Sequence, residues 1–471
     1  MQTVRPVRAK VLLRRMDTIL IDFVQACECA VADFGAVEEA TAVALDRIRR
    51  LLVTAGLTAA VEEVGTFHCP DCLRELSAWK LGPRAIATAQ GDGSYPAVRY
   101  RCNACGKDHY PVEAANGLEG DQFTTGAKAT IAESAADLAY AHVSATLAQS
   151  RSISVSAKEV DRTAREVAAW RAEEEKALVD AAFGEKACQA RLEGIDPIES
   201  TPNLYPMQGW KPDTPALISV DGAKVRSTQK GPEGLLWFEC RAGIIAPADD
   251  NREARKACVG GIHSPDDLFD RLAAAWLRGD NAHRLCIFSA DFGNWIWNRV
   301  RFYFPNAIQL LDIYHAGEHV GSAGIAYWGR DSDGAKDWKL RARDMLMQKA
   351  GPPNLLHGLM RMLRAGNAAD ADELRKEFRY LYANRHRMPY FEHHEKGLAV
   401  GSGAMESTIK QACINRVRQA GMKWTHQGAH AVLGLRCAKL SGTLAQTTDR
   451  KHKSLQEKLT DYMPNCARIA A

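Results

Sequence analysis

The sequence predicts a multidomain α/β protein in which a zinc ribbon and helical segments precede one sheet-bearing domain. Three observations carry that prediction. Two C-x-x-C pairs, Cys69/Cys72 and Cys102/Cys105, stand 29 residues apart. Four apolar runs of strand length, PALISVDGAKV, LLWFECRAGIIAP, HRLCIFSADFGNW and AIQLLDIY, fall between residues 215 and 314. Most of the remaining chain places its apolar residues at helical spacing.

Composition sets the outer limits. A chain of 471 residues suggests two to four domains and is long enough for a sizeable core. With 46% hydrophobic and 25% charged residues it reads as globular, without a large disordered fraction. The net charge of +4 is too small, taken alone, to indicate a nucleic-acid binder. The start, MQTVRPVRAKVLLRRMDTILIDF, lacks the uninterrupted apolar core and small-residue cleavage site of a signal peptide. No apolar run has the length a membrane span needs. The expectation is a cytoplasmic protein with reduced cysteines and no membrane association.

The elements follow in order. Residues 1–64 form an Ala-rich helical segment, with Leu20, Phe23, Val24 and Cys27 on one face. In 65–119 Cys, Gly, Pro and aromatics rise and short strand-like pieces such as AVRYRC appear. Residues 120–199 are helical again, broken at SRSISVSAKEV, where Ser156 can cap a second amphipathic helix. The Pro- and Thr-rich stretch 200–215 reads as a linker. In 210–319 the apolar strands alternate with helical text such as SPDDLFDRLAAAWLRG, the pattern of an α/β sheet. Residues 320–398 look wholly helical, 399–445 helical and basic, and 446–471 form a C-terminal tail.

The cysteine quartet has the spacing of a structural zinc ribbon. Each C-x-x-C forms a tight knuckle that presents two thiolates, and the metal joins two hairpins that have little core of their own. Pro70 and Gly106 suit the knuckle turns. With all four ligands thiolates, no position is left open for chemistry. Cys240, Cys286, Cys413 and Cys437 sit in apolar text and read as core residues.

Acids at strand ends are the second constellation. Asp221 in LISVDGAKV and Asp291 in LCIFSADFGNW each follow an apolar run and precede or nearly precede a glycine. A carboxylate ending a buried strand is costly unless it is paired or holds a metal. Glu406, in VGSGAMESTIK, opens a helix after a Gly-Ser-Gly turn. Two Asp and one Glu on separate elements suit two-metal phosphoryl transfer with Mg²⁺ or Mn²⁺. From Glu406 to Lys453 there are nine Lys or Arg against two acids. On one helix Lys410, Arg416, Arg418 and Lys423 would present cations beside those acids, and Trp424 a stacking plane, which favours DNA as partner.

SVDGAKV, SADFGNWIW, LLDIYHAGEHV and GSGAMESTIKQACINRVRQAGMKWT, in that order, resemble the DDE-type transposases of bacterial insertion sequences, most closely the ISKra-type family. The resemblance spans roughly 210–442. It implies a ribonuclease-H-like catalytic core with an all-helical insertion at about 320–398. Asp221 and Asp291 match the family's catalytic aspartates and Glu406 its glutamate, with Glu392 and Glu395 lying near enough to compete for that place. Asp312 and His315 match an acid-x-x-His element beside the second aspartate. The implied activity is cleavage at the element's terminal inverted repeats and transfer of the 3′-hydroxyls to target DNA, by homo-oligomers on nucleoid DNA. Residues 125–175 resemble a helix-turn-helix for the terminal repeats, with SISVSAKEVDRTAREV as recognition helix.

LDIYHAGEHV admits a rival reading. His315, Glu318 and His319 form H-x-x-E-H, the zinc motif of an inverted metallopeptidase. That reading leaves Asp221, Asp291, the ribbon and the basic tail without a role, as a non-catalytic zinc-ribbon DNA-binding regulator leaves the acids. In the transposase reading His315 meets a metal-bound phosphate or orients an acid, Asp312 fixes its tautomer, and Glu318 and His319 lie one turn further on, supporting the site or facing solvent.

Overall fold

The computed structural model describes residues 6–31, 33–62, 64–230, 236–249, 254–279, 281, 283–291 and 293–462. The last nine residues of the expected tail 446–471 therefore lie outside the described residues. The chain divides into two units, Met1–Trp170 with Leu444–Ala471, and Arg171–Thr443.

In the first unit, helices α1 (Pro6–Cys29) and α2 (Phe34–Glu62) pack against each other. Hairpin β1 (Phe67–His68) and β2 (Glu75–Leu76) follows, then the long antiparallel pair β3 (Trp79–Thr88) and β4 (Gly91–Arg101). Strand β5 (Asp108–His109) pairs back onto the end of β4. Phe67, Leu76, Ile86, Tyr95, Val98 and Tyr100 form this region's core with Cys69 and Cys102. Helices α3 (Pro111–Ala115), α4 (Thr125–Ala135), α5 (Tyr140–Arg151) and the start of α6 (Ala157–Phe183) complete this stretch. Ser156 does cap α6: its Oγ accepts from Glu159 N and the Glu159 carboxylate accepts from Ser156 N, a reciprocal capping box.

The second unit holds the rest of α6, α7 (Glu185–Leu192) and a five-stranded sheet. Its strands are β6 (Ala216–Arg226), β7 (Trp237–Pro247), β8 (Ala257–Gly261), β9 (Cys286–Ala290) and β10 (Ile308–Leu311), in the order β10-β9-β6-β7-β8. The first three in the chain are antiparallel neighbours, while β9 joins β6, and β10 joins β9, in parallel. The sheet is buried on both faces, and the period-2 pleat divides its side chains between two cores. Ile218, Val220 and Phe288 point into a core shared with α8 (Pro265–Arg278) and α9 (Asn294–Tyr303). Leu217, Ile287 and Leu310 point into the other, shared with α10 (Ile313–Trp328), α11 (Asp333–Met347), α12 (Gly351–Ala365), α13 (Ala371–Ala383) and α14 (Tyr390–Glu395).

The chain then forms α15 (Gly403–Ile409), a wide π-type turn at Lys410–Ile414, the short α16 (Asn415–Val417) and α17 (His426–Leu440), which packs on β8. Helix α18 (Leu444–Tyr462) belongs to the first unit, where Gln456 donates to Ala115 O and His452 meets Thr125 Oγ1.

Four expectations are corrected. Strand β8, ACVGG, went unseen because its glycines hide it from apolar patterning. The stretch 200–215 is not a free linker: Leu204 and Tyr205 are buried and Trp210 Nε1 donates to Arg255 O. Asp221 does not end its strand, because β6 runs on to Arg226 as a ribbon with β7. The basic 404–441 stretch is not one helix; it breaks before Thr425, and Trp424 bonds to the end of β6, donating to Arg226 O and accepting from Thr228 N. Among the described residues no helix is long and apolar enough to cross a membrane.

Candidate active site and metal cluster

The four cysteines close on one another. Their sulfurs all lie within 4.8 Å, with Cys69–Cys105 at 3.9 Å and Cys72–Cys102 at 3.6 Å. A tetrahedral zinc with bonds of about 2.3 Å sets its sulfurs about 3.8 Å apart, so the cluster can hold a metal such as zinc. The two knuckles are built alike. Cys69 N donates to Arg74 O and Leu73 N to Cys69 O; Cys102 N donates to Lys107 O and Gly106 N to Cys102 O. Both turns need a left-handed residue, supplied by Leu73 at φ 59° and Gly106 at φ 72°. The Cys105 N–H aimed at Cys102 draws that thiol down to about 7, toward the thiolate a metal requires. His109, not foreseen from spacing, brings Nε2 to 3.6 Å from Cys69 Sγ.

In the second unit the acids gather by register. The last parallel pair between β6 and β9 is Ser219↔Ser289, and Asp221 and Asp291 each follow two residues later. On the other side of β9, Leu311 of β10 pairs with Ala290, and Asp312 N donates to Ala290 O. Three adjacent strands thus carry an aspartate at the same level of one sheet end. Burial is the first cause that raises Asp221, to about 6; the Gly222 N–H opposes it, and the charges of Asp291, Glu239 and Glu406 add to it. Burial likewise raises Asp291, with Asp312 adding and the His315 charge opposing. Glu406 lies exposed in the first turn of α15, while Glu392 and Glu395 are exposed on α14. Of the three, Glu406 is the one whose charge bears on Asp221. Asp221, Asp291 and Glu406 do not close to within 4.8 Å as the cysteines do, an opening wider than a single-ion cage.

Asp312 does something other than set a tautomer. It is 5% exposed and caps α10, accepting from His315 N at 2.9 Å through Oδ1 and from Ser402 N through Oδ2. Its carboxylate therefore ties the start of α10 to the turn that opens α15. His315 reaches His319 instead, Nε2 to Nε2 at 3.3 Å. His319 in turn places Nδ1 at 2.5 Å from Glu377 Oε2 and stacks on Tyr380 at 3.7 Å. Glu318 is exposed, 3.6 Å from the opposite nitrogen of His315. The two Nε2 atoms converge, but Glu318 stands at the other nitrogen of His315, and among the described residues no third His, Cys, Asp or Glu closes within 4.8 Å of the pair to complete a peptidase zinc site.

The basic residues split. Lys410, Arg418 and Lys423 are exposed. Arg416 and Trp424 are not available as a DNA cation and stacking plane: Arg416 is 1% exposed with its guanidinium 5.1 Å from the Trp424 ring, and Trp424 Nε1 donates to Val417 O. The break before α17 folds both inward. In the proposed recognition helix, Arg162 pairs with Asp121 and Arg165 with Asp161, both within the first unit.

Besides His109, three residues escaped the sequence reading. Glu239 lies across Gly222, where an added Cβ would meet its Oε1 at 2.8 Å. Glu377 and Tyr380 belong to α13; a glutamate on the apolar stripe of Leu374 and Leu381 was the available signal.

No family model matches the sequence, and no curated protein does. Among solved structures, a chain of the "Drosophila P element transposase strand transfer complex" aligns with a TM-score of 0.31 and 9% identity, over 58% of this chain and 93% of that one.

Proposed function

We propose that the chain is a DNA transposase of the DDE type, similar to the ISKra-type enzymes of insertion sequences. It would cut the terminal inverted repeats of its element and join the 3′-hydroxyls to target DNA. The observation that carries this reading is the register that sets Asp221 and Asp291 side by side at one sheet end, with the Glu406 charge bearing on the first. The strand order β10-β9-β6-β7-β8, three antiparallel strands followed by two parallel ones, supports a ribonuclease-H-like core. The helices from α10 to α14 would be its insertion.

Asp221, Asp291 and Glu406 would hold two Mg²⁺ or Mn²⁺ ions, which supply activation of the attacking oxygen and neutralise charge on the leaving one. The residues fit such ions: the half-buried carboxylates of Asp221 and Asp291, pushed upward by burial and by neighbouring acids, are relieved by divalent charge. Asp312 aligns α10 and α15 about the site. Exposed Lys410, Arg418 and Lys423 would contact DNA phosphates. The four-cysteine cluster would hold a structural zinc, and the α4–α6 segment is assigned to the terminal repeats.

The test is strand joining. A duplex bearing the pre-cut ends that flank the reading frame is mixed with target DNA and Mg²⁺. The wild type should join them, while Asp221→Ala, Asp291→Ala and Glu406→Ala should not. Joining that survives one of these changes removes that residue, and joining that survives all three ends the reading.

A further inference from the structure

The helical region offers His315 a partner chain that the carboxylate reading does not use. Glu377 on α13 is 4% exposed, and its Oε2 faces His319 Nδ1. An ionised carboxylate so far from water needs a donor, so His319 carries its proton on Nδ1. In neutral His319 the other nitrogen, Nε2, is then an acceptor. His315 Nε2 stands 3.3 Å from it, and two imidazole nitrogens at that distance share one proton. That proton belongs to His315.

We propose that His319 and Glu377 are positioning residues that hold His315 in its Nε2–H form, leaving Nδ1 to accept a hydrogen bond from the attacking water or 3′-hydroxyl at the aspartate site. The attacking hydroxyl rests on the transposase reading; the proton order does not. Two further contacts hold the chain in place. Tyr380 stacks on His319 at 3.7 Å and stands edge-on to His315 at 6.3 Å, so neither ring turns freely. Asp312 fixes the backbone N–H of His315. His315 N donates to Asp312, whose own N–H donates to Ala290 O, next in the chain to Asp291, which sets His315 on the helix turn beside the proposed chemistry. The charged groups around the pair are Glu318 on α10, Glu377 on α13, and Asp291 and Asp312 at the strand ends.

This arrangement gives H-x-x-E-H another meaning. Its two histidines line up in series, each using a different nitrogen toward the buried acid.

The experiment labels the histidine rings of the full chain with ¹⁵N and reads their tautomers by long-range ¹H–¹⁵N correlation. Signals are assigned by their loss in His315→Gln and His319→Gln. The wild type should show His315 protonated on Nε2 and His319 on Nδ1. His319→Phe keeps the stack on Tyr380 but removes the relay, so His315 should become a mixture of tautomers. The same variant should join pre-cut DNA ends at least about tenfold more slowly, as loss of an orienting partner does. Glu377→Gln, which alters fewer contacts, should shift the His319 signals and likewise turn His315 into a mixture of tautomers, and serves if His319→Phe unfolds. A His315 protonated on Nδ1, or ¹⁵N signals unmoved in both variants, overturns the relay. Displaced signals with unchanged joining overturn the contact with the attacking hydroxyl. Joining that survives Asp221→Ala, Asp291→Ala and Glu406→Ala alike sinks the transposase reading and leaves the tautomer result standing.

Discussion

Asp221→Asn should stabilise the metal-free protein. The carboxyl's ordinary value of 3.8 rises to about 6 in the fold, first through burial and then through neighbouring acids. At about 1.4 kcal/mol for each tenfold change in proton affinity, ionising it in place costs about 3 kcal/mol. Remaining contact with solvent reduces that to about 2–3 kcal/mol. The sign follows from linkage: the folded state binds its proton more tightly than the unfolded chain, so stability declines as pH rises from about 4 to about 6 and stays low above. Asparagine never ionises. The variant's advantage should be near zero below about pH 4 and complete above about pH 6, worth about 5–10 °C in melting temperature for a unit of this size. Thermal melts of both proteins in chelator, between about pH 3.5 and 8, read it. Mg²⁺ should then raise the wild type more than the variant, since the ion replaces the missing proton. An advantage equal at both pH extremes, or absent at about pH 8, would refute the reasoning.

Other outcomes follow from the same geometry. Metal analysis should find about one zinc per chain, removed by Cys102→Ser together with protection of the β1–β5 amides in hydrogen exchange. Arg416→Ala and Trp424→Ala should lower the melting temperature, by about 2–4 kcal/mol of stability, because both are buried and face each other. Lys410→Ala, Arg418→Ala and Lys423→Ala should leave melting unchanged and flatten the salt dependence of DNA binding, by about one in slope for each phosphate no longer neutralised. Gly243→Ala should destabilise by about 1–3 kcal/mol in chemical denaturation, since its Cβ would lie 2.4 Å from Leu272 Cδ1 on α8.

The sequence disclosed what depends on local spacing. C-x-x-C pairs announce knuckles because turn geometry alone decides where two thiolates point. The four apolar strands were visible because a sheet covered on both faces needs nearly continuous hydrophobicity. Strand β8 was not, since Gly260 and Gly261 are there for close approach: added Cβ atoms would meet Cys437 and His430 of α17. That requirement comes from a partner far along the chain. The same holds for Arg416 and Trp424, whose charge and ring read as surface features until the break before α17 turns them inward. Asp312 and His315 were singled out, but their roles depended on Ser402, His319 and Glu377, which no local pattern connects to them.

Asp312 also determines what the intervening helices are free to do. Ile313 N donates to Val400 O at 3.2 Å, and Ser402 N donates to the Asp312 carboxylate. The chain therefore leaves for α10 through α14 and returns at nearly the same point, like a loop of thread drawn through one stitch. The entropy of closing such a loop grows only slowly with its length. The turns between these helices can be lengthened or shortened while Glu406 stays where the stitch puts it. One carboxylate at a helix cap thus separates the part of the chain that must hold still from the part that is open to change.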